Sequence, residues 1–584
     1  AEAFAADLDR WLRDEPIDAR LPSTGERMRR FVRKHRTSVA AAALVAIAIL
    51  GGAVSTLLQA RETRLEADRS QATADFLADI FHESNPATAD APRSTLDLIG
   101  RGAQRIEAEL AGQPDLQARL LAVVADAYLG QGRPDSAEAM ARRALAIRQP
   151  GGTAPDPAEA VRAEILLGRA AFIASPERGG PLLDRAVENA RTVDDDVLLA
   201  ALDAQVRLAA GREMNPQQTV TAVEEAVALS RRIDGEGSPR LGRLLTLLGS
   251  RVSMIHQHGR MEPLFRESLA NLPASQAPYD RSVALVSLSE LLGMTGQRDE
   301  AWQHANEALA LRRRVLPTGD ARIAEALATR AAVEDDDLEA ERDVRAAVRI
   351  AEQADDAPLL VEVVSLLRDV LSSQERYDEA VEASARHVAL AKEVYGPGST
   401  RYPSSVGAYG RVLHQAGRYG DAAEVWEQAI PLSIEAYGPE SAVIIGVYVW
   451  AGQTAQARER LDQAESYYSR AFEASADLPE SSKNRAYAGL WLGELRLKLN
   501  RAEDALGPLQ QATAGREALN RPGHRSMAAD GHYAAALLGE ALLATGQRDR
   551  GQQLLDQAIP ELASALGEDA PKVIRARAAL TRGR

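Results

Sequence analysis

A pattern of small and apolar residues recurs along this chain about every forty residues, and it leaves few folds open. In RSVALVSLSELLGMTGQRDEAWQHANEALALRR (281–313), Leu285, Leu288 and Leu292 share one face of a predicted helix. Gly296 ends that helix, and Ala301, Ala305 and Ala308 line a second one. PSSVGAYGRVLHQAGRYGDAAEVWEQAIPLSIEAYGP (403–439) repeats the pattern with Tyr409, Gly410, Leu413, Gly417, Ala422, Trp426 and Ala429. Further copies hold Gly452, Ala455, Ala464, Tyr468 and Ala471, then Leu492, Gly493, Ala505 and Ala512. The last holds Gly539, Leu542, Gly546, Leu555 and Ala558, and the first clear one Leu121, Tyr128, Gly132, Ala137 and Ala144. Small residues belong where two antiparallel helices cross closely, and larger apolar ones fill the space beside them. No such pair buries its apolar face alone, so neighbours must stack.

The small residue near the start of each second helix falls at Ala137, Ala301, Ala340, Ala380, Ala422, Ala464 and Ala505, with steps from Ala301 of 39, 40, 42, 42 and 41. These units resemble tetratricopeptide repeats, with a step longer than the usual ~34 residues. They are similar to the longer units of kinesin light chain-type tetratricopeptides, and the linkers EVYGPGST (393–400) and EAYGPES (435–441) recur 42 residues apart. The spacing between Ala137 and Ala301 accommodates three more units, around 158–192, 198–233 and 241–270. About eleven units then fill 118–570, with a capping helix at 571–584. The residues expected to carry the packing are Ala137, Ala301, Ala380, Tyr409, Gly410, Ala422, Trp426, Ala464, Gly493, Ala505 and Gly539. The resemblance implies a groove that binds protein or peptide partners.

Between Arg36 and Arg61 lie 24 residues without a charge, TSVAAAALVAIAILGGAVSTLLQA. A helix needs about 20 residues to cross the ~30 Å hydrocarbon core, so 37–60 is expected to be a single transmembrane helix. Arg27, Arg29, Arg30, Arg33, Lys34 and Arg36 crowd its N-terminal side without an acid, whereas Arg61, Arg64 and Arg69 are mixed with Glu62, Glu66 and Asp68. The positive-inside rule then puts the N-terminus in the cytoplasm and the repeats outside it, across a bacterial inner membrane. Ala48, Gly52 and Thr56 lie four apart on one face, where small residues allow two spans to pair as a homodimer. The expected fold class is all-α: a single transmembrane helix, linker helices over 61–117, and a tetratricopeptide-like α-solenoid.

Residues 1–36 belong to neither the span nor the repeats. Phe4, Leu8, Trp11 and Leu12 make an amphipathic face, followed by an extended stretch and the basic run. ADLDRWLRDEPIDAR and RMRRFVRKHR resemble the last C-lobe helix and juxtamembrane tail of bacterial eukaryotic-like serine/threonine kinases. FLADIFHESNPA (76–87) is similar to the opening of their extracytoplasmic repeat domain. The resemblance implies that the chain is the anchor and sensor or scaffold portion of a transmembrane kinase. The alternative is a non-enzymatic anchored scaffold for envelope assembly or secretion. A kinase needs a Gly-rich loop, a strand Lys, H-R-D and D-F-G. KHRT (34–37) and ADFL (74–77) are the nearest strings and lack the catalytic Asp and the motif Gly. ATP and Mg are thus implied only for a kinase domain outside this chain, and no catalytic, cofactor-binding or metal residue is carried over.

Other chemistry finds little support. There is no Cys, which removes thiolate metal sites, Cys nucleophiles and disulfides. A net charge of −15 argues against nucleic acid as a partner. His256 and His258 are a close pair without a third ligand. The acidic triplets Asp194–Asp196 and Asp335–Asp337 lack calcium-loop spacing. GPGS (396–399) reads as a turn, because no P-loop Lys follows it, and no G-x-S-x-G marks a hydrolase.

Overall fold

The computed structural model describes residues 2–13, 95–149, 151–153, 156–208, 215–480, 482–515 and 529–583, and these are helices and turns without a strand. They fall into two compact parts, Ala1–Met214 and Asn215–Arg584. The first holds the helices Glu2–Leu12 and Thr95–Glu109, the pairs Pro114–Gly130/Pro134–Arg148 and Pro157–Ala174/Pro176–Ala190, and the helix Asp195–Leu208. The second opens on Pro216–Ile233 and runs through eight antiparallel pairs to Leu566, ending on Pro571–Gly583. The expected unit at 198–233 straddles the boundary between the two parts, and residues 209–214 within it lie outside the described residues.

Many of these helices begin on proline, as at Pro114, Pro134, Pro157, Pro239 and Pro278. Its fixed φ suits the first turn, where the missing N–H would have had no partner. Within a pair, the turn keeps one geometry. In most pairs a small residue sits five residues before the first helix ends, and two residues past its end the backbone turns left-handed. That left-handed place is Gly132, Gly296, Gly417 and Gly546 in four pairs, but Glu375, Glu459 and Asn500 in three others. The next residue's N–H then reaches back five residues, Arg418 to the Leu413 carbonyl at 2.9 Å and Arg460 to that of Ala455 at 2.9 Å. This bond satisfies a carbonyl left over at the helix end. His256 is left-handed too, directly after the 3₁₀ turn Val252–Ile255, and the next N–H, of Gln257, likewise reaches back five residues to the Val252 carbonyl at 3.0 Å, which gives His256 a structural role in its turn.

The crossing between the two helices is the tightest point of each pair. A Cβ at Gly410 would lie 2.9 Å from the indole of Trp426, sixteen residues on, and one at Gly452 would strike the ring of Tyr468. Glycine therefore makes room for a ring, and both rings are almost fully buried. Ala137, Ala301, Ala380, Ala422, Ala464 and Ala505 are each fully buried where the second helix meets the first. On the outside, Arg–Glu pairs tie successive second helices together, such as Arg266–Glu300 at 2.8 Å and Arg345–Glu379 at 3.2 Å. Exposed pairs of this kind contribute about 0–1 kcal/mol each, so burial at the crossings dominates.

Among the described residues no helix is long and apolar enough to cross a membrane. This corrects the expectations of a single transmembrane helix and of an inner-membrane location with the repeats outside the cytoplasm. The longest described helices, 19 residues at Tyr377–Tyr395, Tyr419–Tyr437 and Arg548–Leu566, each carry several charged side chains and so lack the apolar run that a span needs. The segment 37–60, the basic run Arg27–Arg36, the proposed dimer face at Ala48, Gly52 and Thr56, and the 76–87 string lie outside the described residues.

Two substitutions in one repeat separate these contributions. Gly452→Ala overpacks the crossing and is expected to lower stability by roughly 1–3 kcal/mol. Glu459→Gly relieves a left-handed residue and is expected to raise it by about 1 kcal/mol. Urea unfolding of the full chain followed by circular dichroism checks both signs.

Candidate functional site

The second compact part carries an open cleft of about 750 Å³ lined by side chains from five successive pairs and the final helix. Its rings come from repeated places in the fold. Tyr377 and Tyr419 are the first residues of their second helices, 42 residues apart. Trp450 and Trp491 lie two residues before the crossing glycines Gly452 and Gly493, 41 residues apart. All four rings are half-buried, with one side packed and the other available to a partner.

A shared hydroxyl holds the centre of the cleft. Thr454 Oγ1 accepts from Trp426 Nε1 at 2.9 Å and donates to the Trp450 carbonyl at 2.9 Å. One lone pair remains, and His414 Nδ1 lies 3.0 Å away, so the imidazole donates there and turns Nε2 into an acceptor. His414 also meets Tyr419 and Trp450 edge-on, with ring centroids 5.2 and 5.5 Å apart. Burial holds its pKa below the usual value, which keeps it neutral. Gln415, Gln453 and Gln456 add amides to the wall, and Lys498 is exposed at its edge. Lys572 pairs with Asp530 at 2.6 Å, and Tyr487 donates to the other Asp530 oxygen at 2.9 Å, closing the far end. The surface offers apolar rings, amide donors and acceptors and few unpaired charges. Such a surface suits a polypeptide segment, whose backbone needs hydrogen bonds and whose side chains need apolar contact.

None of the packing residues expected from the sequence lines this cleft. Ala137, Ala301, Ala380, Ala422, Ala464, Ala505, Gly410, Gly493 and Gly539 are spent on the crossings, Trp426 fills one, and Tyr409 is partly buried against the same core. The ring-bearing places two residues before the crossing glycine were missed, although aligning the repeats by their glycines brings Trp450 and Trp491 into one column. His256 and His258 stand 6.2 Å apart between ring centroids. Asp194 and Asp336 cap helices, accepting from Val197 N at 2.8 Å and Leu338 N at 2.9 Å. Gly396 and Ser399 form the turn expected of GPGS, with Ser399 donating to the Gly396 carbonyl at 3.1 Å.

Models of the tetratricopeptide repeat family match the chain at residues 118–149 and 366–435. Both stretches are tetratricopeptide repeats. Similar solved structures include BtubC (BKLC) from P. vanneervenii, 24% identical over 39% of this chain and 90% of that one, with a TM-score of 0.34. A putative kinesin light chain of Podosopora anserina with nearly identical TPR-like repeats is 18% identical over 35% of this chain and 95% of that one, TM-score 0.30. A signal transduction ATPase with a tetratricopeptide repeat sensor from Pyrococcus horikoshii is 11% identical over 64% and 52%, TM-score 0.41. No curated protein matches the chain.

The histidine of the cleft makes a pH prediction. As the pH falls below about 6.5, the unfolded chain takes up a proton that folded His414 still refuses. Stability therefore drops as pH falls from there through the lowered folded pKa, and this contribution then levels off. Thermal melts of the wild type and His414→Gln between pH 7 and pH 4 should converge as the pH falls, because the variant lacks this loss.

Proposed function

We propose that the chain is a protein-interaction scaffold and that its second compact part holds a peptide segment of a partner in the cleft between Tyr377 and Lys572. Tetratricopeptide repeats bind protein partners as a class, which supports the general reading. The observation that carries the specific one is the alignment of rings. Tyr377 and Tyr419, then Trp450 and Trp491, arrive at one cleft from equivalent places in successive repeats. Half-buried Tyr and Trp are the side chains that most often dominate a protein interface.

A peptide selected from a displayed library against the full chain provides the ligand for a test. Trp450→Ala and Trp491→Ala are each expected to weaken it roughly 30-fold, as loss of an interface anchor of about 2 kcal/mol does. Trp302→Ala, on an exposed ring outside the cleft, should leave affinity unchanged. Unchanged affinity in a helical Trp450→Ala/Trp491→Ala double variant would remove the cleft as the binding surface.

The finer reading, that the scaffold is the sensor portion of a serine/threonine kinase, draws on one described feature. In the helix Glu2–Leu12, Phe4, Leu8, Trp11 and Leu12 are all strongly exposed, between 51% and 74%. An apolar stripe of this kind fits the last helix of a domain whose core lies elsewhere. Coding sequence joined in frame ahead of Ala1 and containing H-R-D, D-F-G and A-P-E supports that reading, and its absence leaves the scaffold alone.

A further inference from the structure

The repeat Ala357–Ser373/Tyr377–Tyr395 breaks the residue rule that the others keep. Twelve residues before the buried small residue of the second helix stand Ala125, Ser289, Ala328, Gly410, Gly452, Gly493 and Gly539 in other repeats. Seven residues after it stand Ala144, Ala308, Ala347, Ala429, Ala471, Ala512 and Ala558. Around Ala380 these two places hold Arg368 and His387, and the two side chains touch, Nη1 to Nδ1, at 3.1 Å. The Arg368 side chain is only 6% exposed. Small residues close this crossing in the other repeats, so packing does not call for a guanidinium there. A buried charge is costly unless fully paired, and apolar replacement is often neutral or stabilising.

The pairing of Arg368 is nearly complete, with one gap. Its Nε and Nη2 donate to Asp369 at 3.0 and 2.7 Å, and Nη2 donates also to Ser365 Oγ at 2.9 Å. A guanidinium has no acceptor, so His387 Nδ1 must accept, which leaves its Nε2 carrying the hydrogen. Burial, and then the charge of Arg368, pull the His387 pKa down to about 4 and keep that state neutral. One N–H of Nη1 has no partner among the described residues.

Both side chains line a cleft of about 400 Å³, within the size range of small-molecule sites. Val361, Ala391 and Ala408 form its apolar wall. Tyr395 and Tyr437, the recurring tyrosines of the two Tyr-Gly-Pro linkers, supply hydroxyls. Arg401 donates to Tyr395 Oη at 2.7 Å and lies over that ring at 4.6 Å, and Ser404 Oγ is 2.7 Å from Tyr437 Oη. The charged side chains that line the cleft are Arg368, Arg401 and Glu362, so its wall carries one more positive charge than negative.

We propose that this cleft binds a small organic carboxylate, a monoanion drawn by Arg368 and Arg401 with its apolar body against Val361, Ala391 and Ala408. The single excess charge matches one carboxylate and not a dianionic phosphate, and guanidinium geometry suits a planar anion. The tyrosine rings favour an aromatic acid. The site is separate from the peptide cleft and does not depend on it.

Calorimetric titration of the full chain with benzoate tests the proposal, with benzamide and inorganic phosphate as comparators. Benzoate should bind at least about tenfold more tightly than either. Arg368→Ala/His387→Ala restores the residue types of the other repeats, so it should keep its helical dichroism and lose binding. Arg401→Gln changes a side chain 59% exposed and should weaken benzoate about tenfold, a readout that survives if the double variant unfolds. Equal benzoate binding by the folded double variant, or by Arg401→Gln where that double variant unfolds, overturns the proposal. So does phosphate binding as tightly as benzoate. A peptide with a free C-terminal carboxylate that binds where its amidated form and benzoate do not also overturns it, by making a protein the source of the anion.

Discussion

Most repeats depend on one close contact: a small residue on the first helix faces a residue of the second, sixteen residues on, that fills the space it leaves. Where the first is Gly410, Gly452 or Gly493, the second is Trp426, Tyr468 or Leu509, and a Cβ on the glycine would collide with it. Where the first is Ala125 or Ser289, the second shrinks to Ala141 or Ala305, and Ser289 donates to the Ala301 carbonyl at 2.7 Å. Volume is thus shared between the two places, and helix spacing stays within the range that lets the next pair stack. The left-handed turn residue follows from the same contact. With the crossing fixed, the chain has three residues in which to reverse direction in most pairs, and in seven of them the middle one adopts positive φ.

This logic was readable from the sequence wherever the crossing uses glycine or alanine. Ala422 with Trp426, and Gly493 with Ala505, mark their helices without any structure, because only close approach demands such residues at that interval. The repeats between 158 and 270 were harder to read, for physical reasons. The turn after Ala174 is a single residue, Ser175, which shifts the register by one and sets Gly179 against Phe172. At 249–265 the pair still uses Gly249 against Phe265, but short 3₁₀ turns interrupt the helix pattern. The membrane span rested on apolar length alone, in a segment outside the described residues, and no described helix can take its place.

The binding surfaces were much less legible than the fold. Packing residues are constrained by their neighbours and so repeat, whereas cleft residues are constrained by a ligand that the sequence does not contain. Two signals were nonetheless present. Trp450 and Trp491 recur in one column with one side of each ring left unpacked, and Arg368 with His387 interrupt two columns of small residues. Both depend on first knowing the register, since neither a lone Trp nor a lone Arg–His pair carries a motif. Departures from a local rule that packing does not explain are where function is expected in a repeat protein.

The claim that a small-to-large exchange across one crossing holds each pair is tested most directly by a double-mutant cycle at Gly410 and Trp426. Gly410→Ala, Trp426→Ala and the double variant would each be unfolded in urea and their free energies compared with the wild type. Both single changes should destabilise, the first by overpacking and the second by leaving a cavity, each by about 1–5 kcal/mol. The added methyl should find room once the indole is gone, so the double variant should fall at least 1 kcal/mol short of the sum. Additivity to within about 0.3–0.5 kcal/mol would show that the two sites do not share one volume, and would contradict the account.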